Sequence, residues 1–224
     1  MKNFLIYYLQ NSSYIFEQFI RHFLISFYGV LFASILSIPL GFIIARKVKL
    51  SDFLIGVANI LETIPSLAML AILMFAIGTG PNTVVFAVFL YAILPILKNT
   101  VVGITSIPEK YIDAAKGMGM TSGQRILKVE IPLSMAIIMG GIRNALVLAI
   151  GVTAVGTFIG AGGLGDIISR GINVANGGAI IIAGAVPTAL MAVVSDFVLG
   201  IIENKLMPKS VKKLVNKKGV LLNR

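Results

Sequence analysis

Cysteine is absent from this chain, tryptophan is absent, and histidine occurs once. Without cysteine there is no disulfide, no thiol nucleophile and no thiolate metal site. The lone histidine, His22, builds no metal-binding cluster, and beside Arg21 it reads as an ordinary interfacial residue. Without tryptophan the ring best suited to caging a cation is missing. Charge is scarce too: 12% of the residues are charged, against about 25% in a soluble domain. There is no Walker A phosphate loop, no Gly-x-Ser-x-Gly elbow and no His-Glu-x-x-His pair. No catalytic residue, metal or resident cofactor is therefore expected, and any energy for work comes from an ion gradient or another chain.

What fills the sequence instead is hydrocarbon. Hydrophobic residues make up 57% of it and the mean hydropathy is +0.96. Apolar runs long enough to cross a membrane core of about 30 Å recur along it. The expected class is an all-α integral membrane protein of about five transmembrane helices. They are read as Phe23 to Ala45, Phe53 to Ile77, Val84 to Leu97 (continuing past Lys98 toward Gly103), Leu133 to Ile159, and Ala179 to Ile202. The second is interrupted by Asn59, Glu62, Thr63 and Pro65. Residues 1–20 read as an interfacial segment rather than a cleaved signal peptide, 21–204 as the transmembrane domain, and 205–224 as a basic tail.

The charges set the orientation. Fifteen of the nineteen basic residues fall in the link after the first span, in and beside the interval between the third and fourth, or in the tail. By the positive-inside rule that side is cytoplasmic, which puts the N-terminus outside and the C-terminus inside. The net charge of +10 is thus read as membrane orientation, and no nucleic-acid partner is expected.

The interval from Ser106 to Pro132, SIPEKYIDAAKGMGMTSGQRILKVEIP, is the longest charge-bearing stretch between apolar runs. Ser106 with Glu109, and Thr121 with Gln124, read as two capping boxes in tandem. Gly117 and Gly119 supply a break between two short helices, and Pro132 limits the second. So much specified structure outside the bilayer reads as a docking surface.

This interval resembles the cytoplasmic loop of the membrane subunits of binding-protein-dependent ABC importers. Their signature is Glu-Ala-Ala, three residues, Gly, nine residues, then Ile-x-Leu-Pro. Here Asp113-Ala114-Ala115 is followed at the same spacings by Gly119 and by Val129-Glu130-Ile131-Pro132. A wider resemblance runs through Ile64-Pro65-Ser66-Leu67, Leu90 to Ile96, Ala114 to Thr121 and Phe158 to Gly165. These stretches look like the osmoprotectant branch, which imports glycine betaine, carnitine, choline and related quaternary amines. The resemblance implies a type I importer permease in a bacterial cell membrane, working as a homo- or heterodimer. It implies cytoplasmic ATPase subunits that carry the ATP and Mg, and an extracytoplasmic binding protein. It also implies that Asp113, Ala114, Ala115, Gly117, Gly119 and Pro132 form the ATPase-coupling element, with residues 108–116 as its helix and both alanines allowing close approach.

Intramembrane polar residues are costly and default to functional roles. Glu62, Thr63, Pro65, Arg143, Asn144 and Asp196 are the candidates, with Arg143 expected to pair with Glu62 or Asp196. The Gly160–Gly165 link lacks the lysine of a phosphate loop and reads as a flexible external gate region. Two other readings stand beside the importer of quaternary amines. One is an ABC permease for another small solute such as D-methionine. The other is a secondary transporter, against which the odd span count and the lack of inverted repeats argue.

Overall fold

A computed structural model describes residues 7–207, so the basic tail from 208 onward and residues 1–6 lie outside the described residues. The helix α1 (Ser12–Ile44) is followed by α2 (Val48–Thr63), α3 (Ser66–Ile77) and α4 (Pro81–Thr105). A short α5 (Glu109–Gly117) and the single turn α6 (Ser122–Arg125) form the loop. Then come a π-helical turn (Ile126–Glu130), α7 (Ile131–Val155), a 3₁₀ turn (Gly156–Ile159), α8 (Leu164–Ile172) and α9 (Gly178–Leu206). No strand occurs among the described residues. Four of these helical stretches are long and apolar enough to cross a membrane, and the bent pair α2–α3 makes a fifth.

The second span is therefore not one straight helix. It bends by 97° between α2 and α3, at Ile64-Pro65. A proline drives the residue before it out of the α region, and Ile64 is extended, at φ −66° and ψ 126°. The carbonyl freed at this corner is not abandoned in the apolar interior: the Tyr91 hydroxyl donates to Ile64 O.

The centre of the bundle is α4, which packs against α1, α2, α3 and α7. Ala87, Val88, Ala92 and Ile96 on it are fully buried. Small residues bring the neighbours close. A Cβ added at Gly29 of α1 would lie 2.3 Å from Val88, and one at Gly41 would lie 2.5 Å from Thr100. On α7, a Cβ at Gly141 would lie 2.8 Å from the Pro95 carbonyl. Lipid gives helices no hydrophobic reason to associate, so close backbone approach of this kind is what holds them.

Two sequence expectations about helix ends change. Residues 12–20 are not set apart from the first span, because α1 runs through them without a break. Pro132 does not end a helix: α6, the π turn, α7 and the 3₁₀ turn form one stretch from Ser122 to Ile159. A proline clashes with the carbonyl four residues back and offers it no N–H. The π turn accommodates this, since the Ile131 amide donates five residues back, to Ile126 O.

Candidate functional site

The loop between α4 and α7 presents α5 as a surface helix. Its first capping box does not form. Ser106 Oγ donates instead to Gly103 O at 3.0 Å, closing the end of α4, and Pro108 takes the cap position without a side-chain hydrogen bond. With the helix beginning at Glu109, Ser106 lies two residues before the cap, and its hydroxyl turns to the end of the preceding helix. The second box is complete: Gln124 N donates to Thr121 Oγ1 at 3.3 Å and Thr121 N to Gln124 Oε1 at 3.0 Å. The turn between them rests on Gly119, at φ +73°, while Gly117 keeps ordinary helical geometry.

On α5 the two alanines part ways. Ala114 is exposed, but Ala115 is buried against the chain's own loop. Only Ala114 is thus open to a partner's approach. Asp113 is also on the surface, 3.1 Å from Lys116 Nζ, with both side chains more than half exposed. An ion pair that open is weak and readily exchanged for another partner. Met118, 68% exposed, adds an apolar side chain to the same surface at the helix end.

Behind this surface lies a buried carboxylate. Glu130, 1% exposed, accepts from Arg125 Nε at 2.9 Å and from Arg46 Nη2. Arg46 belongs to the link between α1 and α2, so one carboxylate ties that link to the loop and to the base of α7. Glu130 occupies the unspecified position of the loop signature. The signal available for it was an acid between Val129 and Ile131, which on a packed helix needs a buried partner.

Higher on α7, Arg143 binds Asp196 of α9 with both ends of its fork, Nε to Oδ1 at 2.5 Å and Nη2 to Oδ2 at 2.7 Å. Glu203 joins from 3.3 Å. It lies two helical turns beyond Asp196 on the same face, a spacing that pointed to it. The Arg143 and Asp196 side chains are 34% and 42% exposed on this single subunit. Glu62 takes no part in this cluster. It stands at the corner of the bent span, with Thr63 closing α2 by donating to Ile60 O at 2.7 Å and Pro65 in the break. There Glu62 lines a cleft of about 300 Å³ with Pro95, Lys98 and Asn99 of α4 and Asn144 of α7.

At the opposite end of the bundle, His22 is fully buried and is not an interfacial residue. Leu164 N donates to its Nδ1 at 3.2 Å and its Nε2 lies 2.9 Å from Ile150 O. Those two partners fix the neutral tautomer with the proton on Nε2. Gly163 N donates to Gln18 Oε1 at 2.7 Å. The Gly160–Gly165 link is thus a buried strap held to α1, not a loose gate, with Ala161 and Leu164 fully covered. Gly80 N donates to Ile159 O at 2.8 Å, fastening the turn before α4 to the same end.

Comparison with known proteins matches residues 37–208 to the family model described as binding-protein-dependent transport system inner membrane component. The chain is 56% identical over 207 residues to the glycine betaine/carnitine/choline transport system permease protein OpuCD of Bacillus subtilis (strain 168), covering 92% of this chain and 90% of that one. It is 51% identical over 213 residues to the choline transport system permease protein OpuBD of the same organism, covering 95% and 94%. In three dimensions it resembles the inward-facing MetNI methionine ABC transporter at a TM-score of 0.78 and 19% identity, covering 87% of this chain and 96% of the transporter's.

Proposed function

From the premise that this chain belongs to the binding-protein-dependent transport system inner membrane component family, we propose that it is the membrane-spanning permease of an ATP-driven importer of osmoprotectant quaternary amines. Identity over nearly the whole chain to permeases named for glycine betaine, carnitine and choline supports that substrate class over D-methionine. Family membership sets the secondary transporter aside.

The chain, which carries no Walker A pattern, serves as the transport subunit. A separate cytoplasmic ATPase, with ATP and Mg, receives α5 in a surface cleft, so that the positive-rich face of the bundle is cytoplasmic and the C-terminus lies inside. Asp113, Ala114 and Met118 make the contact, while Ala115 and Gly119 shape the helix that carries them. The observation that carries this reading is the rigid connection behind α5. The capped turn at Thr121, the Glu130 clamp and the helix unbroken to Ile159 pass a tilt of the loop into the membrane. A second permease, identical or a sister chain, covers the half-exposed Arg143–Asp196 pair, which lipid would not tolerate. The binding protein delivers solute at the opposite end.

The test is uptake of labelled glycine betaine, carnitine and choline under salt stress, in cells lacking their own importers. The chain is expressed with its ATPase and binding protein, beside an Asp113→Lys, Gly119→Leu variant. The variant is expected to reach the membrane and to lose uptake. Methionine uptake without amine uptake by the unaltered complex would overturn the substrate class.

A further inference from the structure

The cleft at the bend of the second span carries both signs of charge. Glu62 stands on α2 and Lys98 on α4, and no ion pair within 4.0 Å joins either of them to any described residue. Glu62 is half-buried and Lys98 exposed, so both are open to an incoming partner. Both line a space of about 300 Å³, at the lower end of small-ligand sites.

The neutral lining is oriented as well. Asn99 donates to Pro95 O at 2.7 Å, which fixes its amide and leaves the side-chain oxygen and one N–H for another partner. Gly141 makes the room for it, since a Cβ there would lie 2.7 Å from the Asn99 Cβ. The Asn144 side chain, exposed on α7, has no hydrogen-bond partner among the described residues. The corner is held by Pro65 and by the Tyr91 hydroxyl on Ile64 O, so Glu62 rides on a fixed bend.

We propose that this cleft is a transit subsite for zwitterions, in which Glu62 faces the quaternary ammonium and Lys98, with Asn99 and Asn144, receives the carboxylate. The inference rests on the quaternary-amine reading above. A quaternary ammonium has no N–H to donate and never loses its charge, so a carboxylate is the partner that suits it. A carboxylate needs donors, and Lys98 offers three while the two amides offer the rest. Glycine betaine and carnitine carry both groups, whereas choline carries only the cation. The subsite therefore discriminates among solutes after the binding protein has released them.

The experiment compares initial uptake of glycine betaine and choline by the complete complex reconstituted in vesicles, with the same binding protein throughout so that its own preference cancels. Lys98→Gln is expected to lower the betaine-to-choline ratio about tenfold, and Lys98→Arg to restore most of it, because a charge-assisted hydrogen bond to the carboxylate is lost and regained. Asn144→Leu, which removes a donor without touching a charge, should move the ratio in the same direction. Glu62→Gln should raise the KM for both solutes and leave the ratio alone. A ratio unmoved by both Lys98→Gln and Asn144→Leu, with uptake otherwise intact, overturns the subsite and spares the importer. No amine uptake by the unaltered complex overturns both.

Discussion

Glu130 shows what a single carboxylate does when it is covered and placed between two arginines. Replacing it with glutamine leaves Arg125, itself largely buried, beside a neutral oxygen, and frees Arg46 into solvent. The loss should be about 1.5–3 kcal/mol at the Arg125 contact and less at the half-exposed Arg46. We expect Glu130→Gln to keep the bundle folded while loosening the loop. Limited proteolysis would then cut between residues 106 and 130 faster, and ATP hydrolysis by the partner would continue with little uptake. Uptake and cleavage matching the unaltered protein would remove the clamp from the mechanism. At this scale the sequence was only partly legible. The spacing of Asp113, Ala114, Ala115 and Gly119 was open to reading, because it lies along the chain. That Ala115 faces inward, or that His22 sits between Ile150 and Leu164, depends on residues far away in sequence.

Between helices, contact is set by what is missing from glycine. Gly29 meets Val88 at the crossing of α1 and α4, so any side chain there forces the two apart. Gly29→Val should cost about 1–3 kcal/mol and lower the melting temperature of the detergent-solubilised protein. Gly56, on α2, has open space where a Cβ would stand, so Gly56→Ala should be neutral or raise stability by up to about 1 kcal/mol. Equal effects of the two would mean that the crossing does not depend on close approach. The existence and order of the spans were legible in the hydropathy, since a stretch of apolar residues in lipid has few choices besides a helix. The bend at Ile64-Pro65 and the passage through Pro132 were not. Both places hold a proline in an apolar run, yet one breaks the helix by 97° and the other is absorbed by a π turn. Which happens is decided by the neighbours: Tyr91 stands ready for the freed carbonyl at one, and Glu130 anchors the turn at the other.

For the whole molecule, the absence of cysteine becomes an instrument, because one introduced thiol is the only one there. Met118 of the loop is 68% exposed and Val174, before α9, is 51% exposed at the other end. In intact cells a membrane-impermeant maleimide should label Val174→Cys, and should label Met118→Cys only after permeabilisation. The reverse pattern would invert the orientation. The stretch from Ser122 to Ile159 holds 38 residues in one helical run, about 57 Å long at 1.5 Å each. Its two ends meet the loop and the glycine-rich strap, and the chain on the other side of the loop, at Ile107 and Pro108, is not helical. These two sides differ in how they tolerate a change of length. One residue added at Ile107 alters only a short joint. One residue added within α7 turns everything beyond it by about 100° and carries Arg143 or the Ile159 carbonyl away from its partner. Among descendants of this sequence, insertions and deletions should therefore collect in the short joint before α5 and be nearly absent from Ser122 to Ile159.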